Sequence, residues 1–532
     1  MKKINFTKII WALFYIFVFC FLLSNSYKYL DPDLGWHLKV GEQIINEKAI
    51  PTFDHYNWTL EGKQWVDHEW LMNVITFWIY DNFGYFSINI FFVLIALTVL
   101  IILNLFTQKY FLKEKNALLF ILIFQYLGLK AMAPHLGIRI QEITLLNLLL
   151  LLIIIYNYEK NKNYKILFWL LPLFYLWACF HAGFLIGIFI MFFWLAVKII
   201  EIIIAKYKIA QFIDLKNKLN LKNIYTFFSF TILGILTTFF TPYGLKLYNF
   251  LGGYSNSFYM THIQEWLPFY SLPIIYWQLL YTAFVATVIL LLIIDAIKKE
   301  KKIDLWQTLL SLFFIILALK SKRHFPLLFI VSFPMVIIFF TNLFNLKKIF
   351  KKLPHHLLLS KTYLIIAFLL IIISQFIKVN FTSDPFLSFN NDYPQKAIIF
   401  LKNNPQYDNL KLFNPYGWGG YLIWTLPERK LFIDGRLPQY KFAKHTFLEE
   451  YYDFFNKEKT KNKLDKYNIQ LVLLDIKEKK YHLNWFEKYF LDFNEEEINK
   501  NANKNQVKDY LNNSNEWEKV YNDEISNIYV KK

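Results

Sequence analysis

Eleven apolar runs, near residues 9–24, 86–107, 116–131, 142–157, 166–181, 184–204, 224–242, 276–297, 303–319, 325–343 and 362–379, constrain this chain more than any other feature. A helix needs about 20 apolar residues to cross a bilayer core. Lipid offers the backbone no hydrogen bonds, so each run can enter it only as a helix that satisfies its own amides. The expected fold is a polytopic α-helical membrane protein with about eleven transmembrane helices. Alternate loops are lysine-rich: "QKYFLKEKN", "YEKNKNYK", "KYKIAQFIDLKNKLNLKN", "KKEKK" and "NLKKIFKKLPHH". Together with the N-terminal "MKK" they mark one side, which the basic-loop bias makes cytoplasmic. An odd number of spans then carries the C-terminal region to the extracytoplasmic side. The basic, apolar N-terminus lacks a small-residue cleavage site and reads as an uncleaved first span.

Composition narrows the class further. The 532 residues are 56% hydrophobic and 20% aromatic, as expected of a membrane protein rather than a soluble enzyme. The formal charge of +18 sits mostly in the short loops, so topology accounts for it and no nucleic-acid partner is expected. Cys20 and Cys179 both lie inside apolar runs, which leaves neither a disulfide framework nor a thiolate zinc site. Of 58 basic residues only four are arginine: Arg139, Arg323, Arg429 and Arg436. Where lysine serves for plain positive charge, a retained arginine points to a need for its planar, two-pronged fork.

Two regions stand apart from the spans. The first outward loop, 25–85, holds nine acids against four lysines. Within it, 33–48 spaces Leu34, Leu38 and Ile45 as one face of a helix expected to lie on the membrane surface, and "HEWLMNVITFWIY" is a second such helix. These belong to a transmembrane domain, 1–379. From residue 380 hydropathy falls. "YPQKAIIFLKNN" reads as a helix opened by proline, and "LKLFN", "KLFID" and "QLVLLD" as short buried strands. A soluble extracytoplasmic α/β domain is therefore expected over 380–532, with "NEEEINKNANKNQ" as a flexible excursion.

The candidate chemistry clusters on the outward side. His37, His55, His68, His135, His181, His262 and His324 all fall in or beside outward loops, which points to a polar cavity opening there. Asp33 and His37 share one helix face at i, i+4 spacing, with Asp31 just ahead. Either aspartate can cap the helix; a cap needs one of them, and the other is left for chemistry. "WVDHEWL" repeats the theme, with Asp67 as a cap ahead of His68 and Glu69. Asp31, Asp33, His68 and Glu69 carry the oxygen and imidazole donors a divalent cation such as Mg or Mn takes, or one carboxylate acts as a general base. Arg139 and Gln141 lie at one outer boundary, and Lys322, Arg323 and His324 at another, where guanidinium forks suit a lipid phosphate; snorkelling to ordinary headgroups is the alternative. His181 occupies a tight outward turn, and Glu265 lies in the largest later outward loop beside Trp266. In the C-terminal domain, Trp418, Gly419 and Gly420 supply a close-approach turn, while Asp434 and Arg436 follow a strand-like run. Arg436 either pairs with Asp434 or caps a helix, or the domain serves as a lid or acceptor-binding module.

An acidic first loop of the form Asp-Pro-Asp followed by an amphipathic helix resembles the GT-C glycosyltransferases, which include oligosaccharyltransferase catalytic subunits, protein O-mannosyltransferases and lipid A aminoarabinose transferases. "DPDLGWHLKVGEQIINEKAIPTFDHYNW", "QWVDHEWL", "IRIQ", "WACFHAGF", "TPYG", "IQEWLP", "KRHFPLLF" and "YGWGGYLIW…LFIDGR" together also resemble a group of bacterial membrane proteins of GT-C-like architecture. The resemblance implies a multi-pass enzyme of the bacterial plasma membrane. It would take a sugar from a polyprenyl-phosphate-linked donor to a glycan, lipid or protein acceptor. Asp33 would be the base, with Asp31 as cap or second ligand; the arginines are candidates for the lipid phosphate on chemistry alone. There is no "WWD"-type peptide-binding motif, which argues against protein as the acceptor. An O-antigen polymerase or ligase is the alternative enzyme, and a transporter or flippase the alternative without catalysis.

Overall fold

The computed structural model describes all residues except 1–5, 27, 29, 113–116, 208–210, 216–218, 255–257, 299–301, 345–360, 382–383, 389–392 and 443. Several loop lysines, along with His355 and His356, lie outside the described residues. The chain forms two compact units. The first comprises Met1–Asp31, His68–Leu251 and Met260–Ser383; the second comprises Pro32–Asp67, Gly252–Tyr259 and Asp384–Lys532.

Every predicted span contains a helix in the first unit. In chain order these begin with α1 (Phe6–Ser26). The Glu69-led helix α3 (Trp70–Phe83) precedes α4 (Tyr85–Tyr110), α5 (Leu118–Met132), α6 (Glu142–Asn161), α7 (Leu170–Phe180), α8 (Phe184–Ile204) and α9 (Leu221–Thr238). Helices Tyr276–Ile297, Leu305–Lys320, Phe325–Leu343 and Lys361–Phe376 complete the set; α2 (Leu34–Glu47) belongs to the second unit. Among the described residues, seven helices are long and apolar enough to cross a bilayer. Tyr164–Phe180, Leu305–Lys320 and Ile365–Phe376 are shorter apolar helices. In α9, Lys222 and Asn223 occupy the first turn and dilute the apolar stretch.

Side chains fill the space between helices. Trp177, Trp194, Phe174 and Phe227 are wholly buried, and α7 packs on α9. Some polar groups inside the bundle pair with one another, which spares them the cost of burial away from water. Asn104 donates to the Tyr15 hydroxyl at 2.9 Å, which donates to Gln125 Oε1 at 3.3 Å; Gln125 Nε2 in turn reaches the Leu100 carbonyl at 2.7 Å. Toward the C-terminal end of α6, buried Lys198 lies 2.8 Å from Glu159 and 3.1 Å from Glu201. Charges of this kind sit near helix ends rather than at mid-span, where a transport path would place them.

The second unit is built on a four-stranded sheet of order β1-β2-β4-β3, with β1 (Leu412–Phe413), β2 (Leu471–Asp475), β3 (Trp517–Asn522) and β4 (Ser526–Lys531). β1 runs parallel to β2, and β4 lies antiparallel to both β2 and β3, with Leu473 opposite Ile528. Two of the expected strands are therefore present, and "KLFID" is not a sheet strand. Its backbone pairs with the first loop instead: Leu431 N–H donates to the Tyr56 carbonyl at 2.9 Å, and Trp58 N–H to the Leu431 carbonyl at 3.0 Å. The helix opened by Pro394 is Gln395–Lys402. "NEEEINKNANKNQ" is not a flexible excursion. It contributes to helices Glu495–Ala502 and Gln506–Asn513, because Asn494 and Asn505 accept the N-terminal amides of Glu497 and Lys508. The first loop does not all pack with the spans. In the second unit, α2 buries Leu34, Leu38, Val40 and Ile44, packing on the short helix Gly419–Thr425 rather than lying on a lipid surface.

Candidate functional site

In the first unit, a chain reversal ahead of α6 presents Arg139, which is 8% exposed. Its Nη1 donates to Glu265 Oε1, while Arg323 Nη1 lies 3.7 Å from Glu265 Oε2. One carboxylate thus joins two guanidiniums from helix termini far apart in sequence. Arg323 also stacks over Trp266 at 5.0 Å, and the Trp266 ring meets His324 edge-on at 5.8 Å. Burial alone would raise the Glu265 pKa, but Arg139 and Arg323, with His135, hold it down at about 2. For Arg139, burial pulls its pKa down; Glu265 and then Asp31 outweigh that and raise it. Near neutrality Glu265 is therefore ionised between Arg139 and Arg323, and Asp31 is a second carboxylate acting on Arg139.

Neighbouring polar groups divide by role. Lys322 is 3% exposed and donates to the carbonyls of Ser271 at 2.6 Å and Pro273 at 3.0 Å, so it anchors the loop that carries Glu265. His135, 6% exposed, has no hydrogen-bond partner on either ring nitrogen among the described residues, and neither does Gln141 Nε2. Glu142 accepts the Gly137 amide.

A second cluster lies at the same end of α6. Glu69 Oε1 is 3.4 Å from His68 Nε2 and 3.4 Å from His181 Nε2. Glu69, not Asp67, is the N-cap residue of α3, and it makes no side-chain cap bond. Behind it, His181 Nδ1 meets Thr144 Oγ1 at 2.8 Å and accepts the Gly183 amide at 3.0 Å.

In the second unit, Asp33 holds the N-cap position of α2 and likewise makes no side-chain cap bond. The Gly-rich motif explains itself by close approach. A Cβ at Gly435 would lie 2.2 Å from Asp33 Oδ1, and one at Gly420 would lie 2.4 Å from the Pro32 carbonyl. Trp418 and Gly419, both buried, lead into the same short helix. His37 is buried, its ring 3.7 Å from that of Trp36. Arg436 does pair with Asp434, at 2.5 Å, and also with Asp54 at 2.7 Å, with no exposure on any of the three side chains. Tyr56 and Trp65 sandwich its guanidinium at 4.5 and 4.6 Å, and Asn57 donates to Asp434 at 2.7 Å. Burial raises the Asp54 pKa against the pull of Arg436.

The structure therefore brings Arg139, Glu265, Arg323 and His324 together, with Asp31 acting on Arg139, and separately joins His68, Glu69 and His181. Asp31 ends the first segment of its unit, whereas Asp33 belongs to the other unit. Sequence reasoning missed Thr144, Gly183, Asp54, Tyr56 and Asn57; only "TFDHYN", polar residues ahead of a tryptophan, hinted at the last three. Among the described residues, no three His, Cys, Asp or Glu side chains gather as a metal site. The proposed donor set of Asp31, Asp33, His68 and Glu69 does not form one, and no step below is routed through a metal.

No protein-family model and no curated protein matches this chain. Solved structures do. The oligosaccharyltransferase of Archaeoglobus fulgidus in its apo form is 12% identical, with a TM-score of 0.55 over 89% of this chain and 70% of that one. The Archaeoglobus fulgidus oligosaccharyltransferase AglB, bound to an inhibitory peptide and a dolichol-phosphate, is also 12% identical, with a TM-score of 0.55 over 88% and 70%. The chain thus shares its fold with these oligosaccharyltransferases, the architecture that the first-loop resemblance implied.

Proposed function

We propose that this chain, folded like an archaeal oligosaccharyltransferase, is a membrane glycosyltransferase that moves a sugar from a polyprenyl-phosphate-linked donor to an acceptor hydroxyl. The observation that carries this reading is the pair of guanidiniums closed on a single carboxylate by Arg139, Arg323 and Glu265. Such a pair matches a phosphate's charge and geometry, and Arg323 is further fixed by Trp266. The dolichol-phosphate held by the AglB neighbour supports a lipid phosphate as the donor's carrier.

The chemistry follows from the groups present. A first-loop carboxylate takes the acceptor's O–H proton, and the acceptor oxygen bonds to the sugar's C1. The C1–O bond to phosphate breaks, and the lipid phosphate leaves with the electron pair. Fixed guanidiniums stabilise the charge gathering on that leaving group. Asp33 is the proposed base, the first-loop carboxylate to which the Asp-Pro-Asp resemblance points. The purified full chain, given a panel of polyprenyl-phosphate sugars and acceptors, is expected to transfer sugar. Asp33→Asn should lower turnover by about a hundredfold or more. Unchanged turnover in that variant would remove Asp33 from the mechanism.

A further inference from the structure

The Glu69 cluster is a built site that the transfer chemistry above does not use. Its hydrogen bonds run in one direction. The Gly183 amide can only donate, so His181 Nδ1 is an acceptor and the imidazole proton sits on Nε2, facing Glu69. Trp177 Nε1 donates to Thr144 Oγ1 at 3.1 Å, which leaves the Thr144 proton for the same Nδ1. A protonated Nε2 has no lone pair to offer a metal. The packing is equally committed, since a Cβ at Gly183 would lie 2.2 Å from Thr144 Oγ1.

What remains is a set of directed donors and acceptors around one carboxylate. The side chains of Glu69, His181 and His68 are 10%, 12% and 19% exposed, so they are largely buried yet keep some access to solvent. The Phe250 ring, 5.6 Å from that of His68, adds an apolar wall. A carboxylate offers about four acceptor positions. Paired hydroxyls on a pyranose, whose C–H face is apolar, match such a mixture; a plain lipid tail or an inorganic ion does not. The location agrees: Thr144 is in the first turn of α6, and Arg139 lies immediately ahead of that helix. One donor molecule carries phosphate and sugar through a single ester oxygen, so its two binding sites must be close.

We infer that Glu69, His68 and His181 form a saccharide subsite that seats the donor's sugar, with Thr144 as the residue positioning His181. This rests on the lipid-phosphate reading above, and the test separates the two. The full chain in nanodiscs is titrated with undecaprenyl phosphate and with undecaprenyl phosphate bearing mannose, glucose, galactose, N-acetylglucosamine or aminoarabinose. At least one sugar-bearing probe should bind about tenfold more tightly than the bare lipid phosphate. Glu69→Gln should erase that gain, since a hydrogen bond to a charged group is worth that much or more. Thr144→Val, which keeps the shape, should lose about fivefold of it. If no sugar adds affinity, or if both variants keep the gain, the subsite falls while the phosphate site stands. If the bare lipid phosphate does not bind the wild type, the donor reading falls and the subsite with it.

Discussion

Arg436 and the Arg139–Arg323 pair use the same side chain in opposite ways. Arg436 is sealed between two aromatic rings and answered by two buried carboxylates, Asp434 and Asp54. Its whole field is consumed inside the second unit, where it ties the first loop to the "FIDGR" turn. At the rim of the first unit two guanidiniums share Glu265, whose side chain keeps 28% of its exposure, and Asp31 acts on Arg139 as well. A guanidinium with access to water can meet an anion from outside; one sealed from water holds a fold. The contrast shows that an arginine retained in a lysine-rich chain signals a fork, while its access to water tells what the fork is for.

Substitutions can break this contrast. The largest effect is expected at Arg436. Arg436→Met leaves Asp54 and Asp434 buried without their cation, which costs about 3–5 kcal/mol. Thermal unfolding of the purified protein should show the loss; a variant that folds normally yet binds donor poorly would erase the distinction. A smaller, pH-dependent effect belongs to Glu265. Its folded-state pKa of about 2 lies below the unfolded value of about 4.3. The stability it contributes is therefore complete above the unfolded value and lost as pH falls toward the folded one. The difference in Tm between wild type and Glu265→Gln should hold steady from pH 8 to about 5 and shrink below about 4.5. A difference that persists undiminished to pH 3 would mean the arginines do not hold this carboxyl. The smallest effect is at Arg429, which forks onto Asp408 at 2.8 Å and the Tyr407 carbonyl at 2.8 Å. Asp408 is 60% exposed, so Arg429→Lys should cost less than about 1 kcal/mol in the same unfolding measurement.

Much of this was legible in the chain. Apolar runs located the helices, because length and hydropathy are local properties. Gly419 and Gly420 signalled close approach; Asp434 proved to approach the first, and Pro32 just ahead of α2 the second. Scarce arginines marked positions where geometry matters: all four meet carboxylates. The partners were not legible. Glu265 lies 126 residues from Arg139, and Asp54 lies 382 from Arg436, so no spacing rule links them. Thr144 looked like any polar residue at the head of a span, since its role depends on the turn at His181. "KLFID" had a strand's composition, yet its hydrogen bonds went to Tyr56 and Trp58, a choice that only tertiary packing makes. Likewise, the apolar stripe of α2 was equally suited to lipid or protein until the short helix Gly419–Thr425 was seen to cover it.

Binding of undecaprenyl phosphate to the full chain, compared among wild type, Arg323→Ala and Arg139→Gln, tests the rim most directly. Each variant should weaken binding by about tenfold or more, because a guanidinium–phosphate hydrogen bond is charge-assisted, and raising the salt should narrow the gap. Equal affinity in all three proteins, at low salt and with the fold intact, would contradict the assignment of the rim arginines to a lipid phosphate.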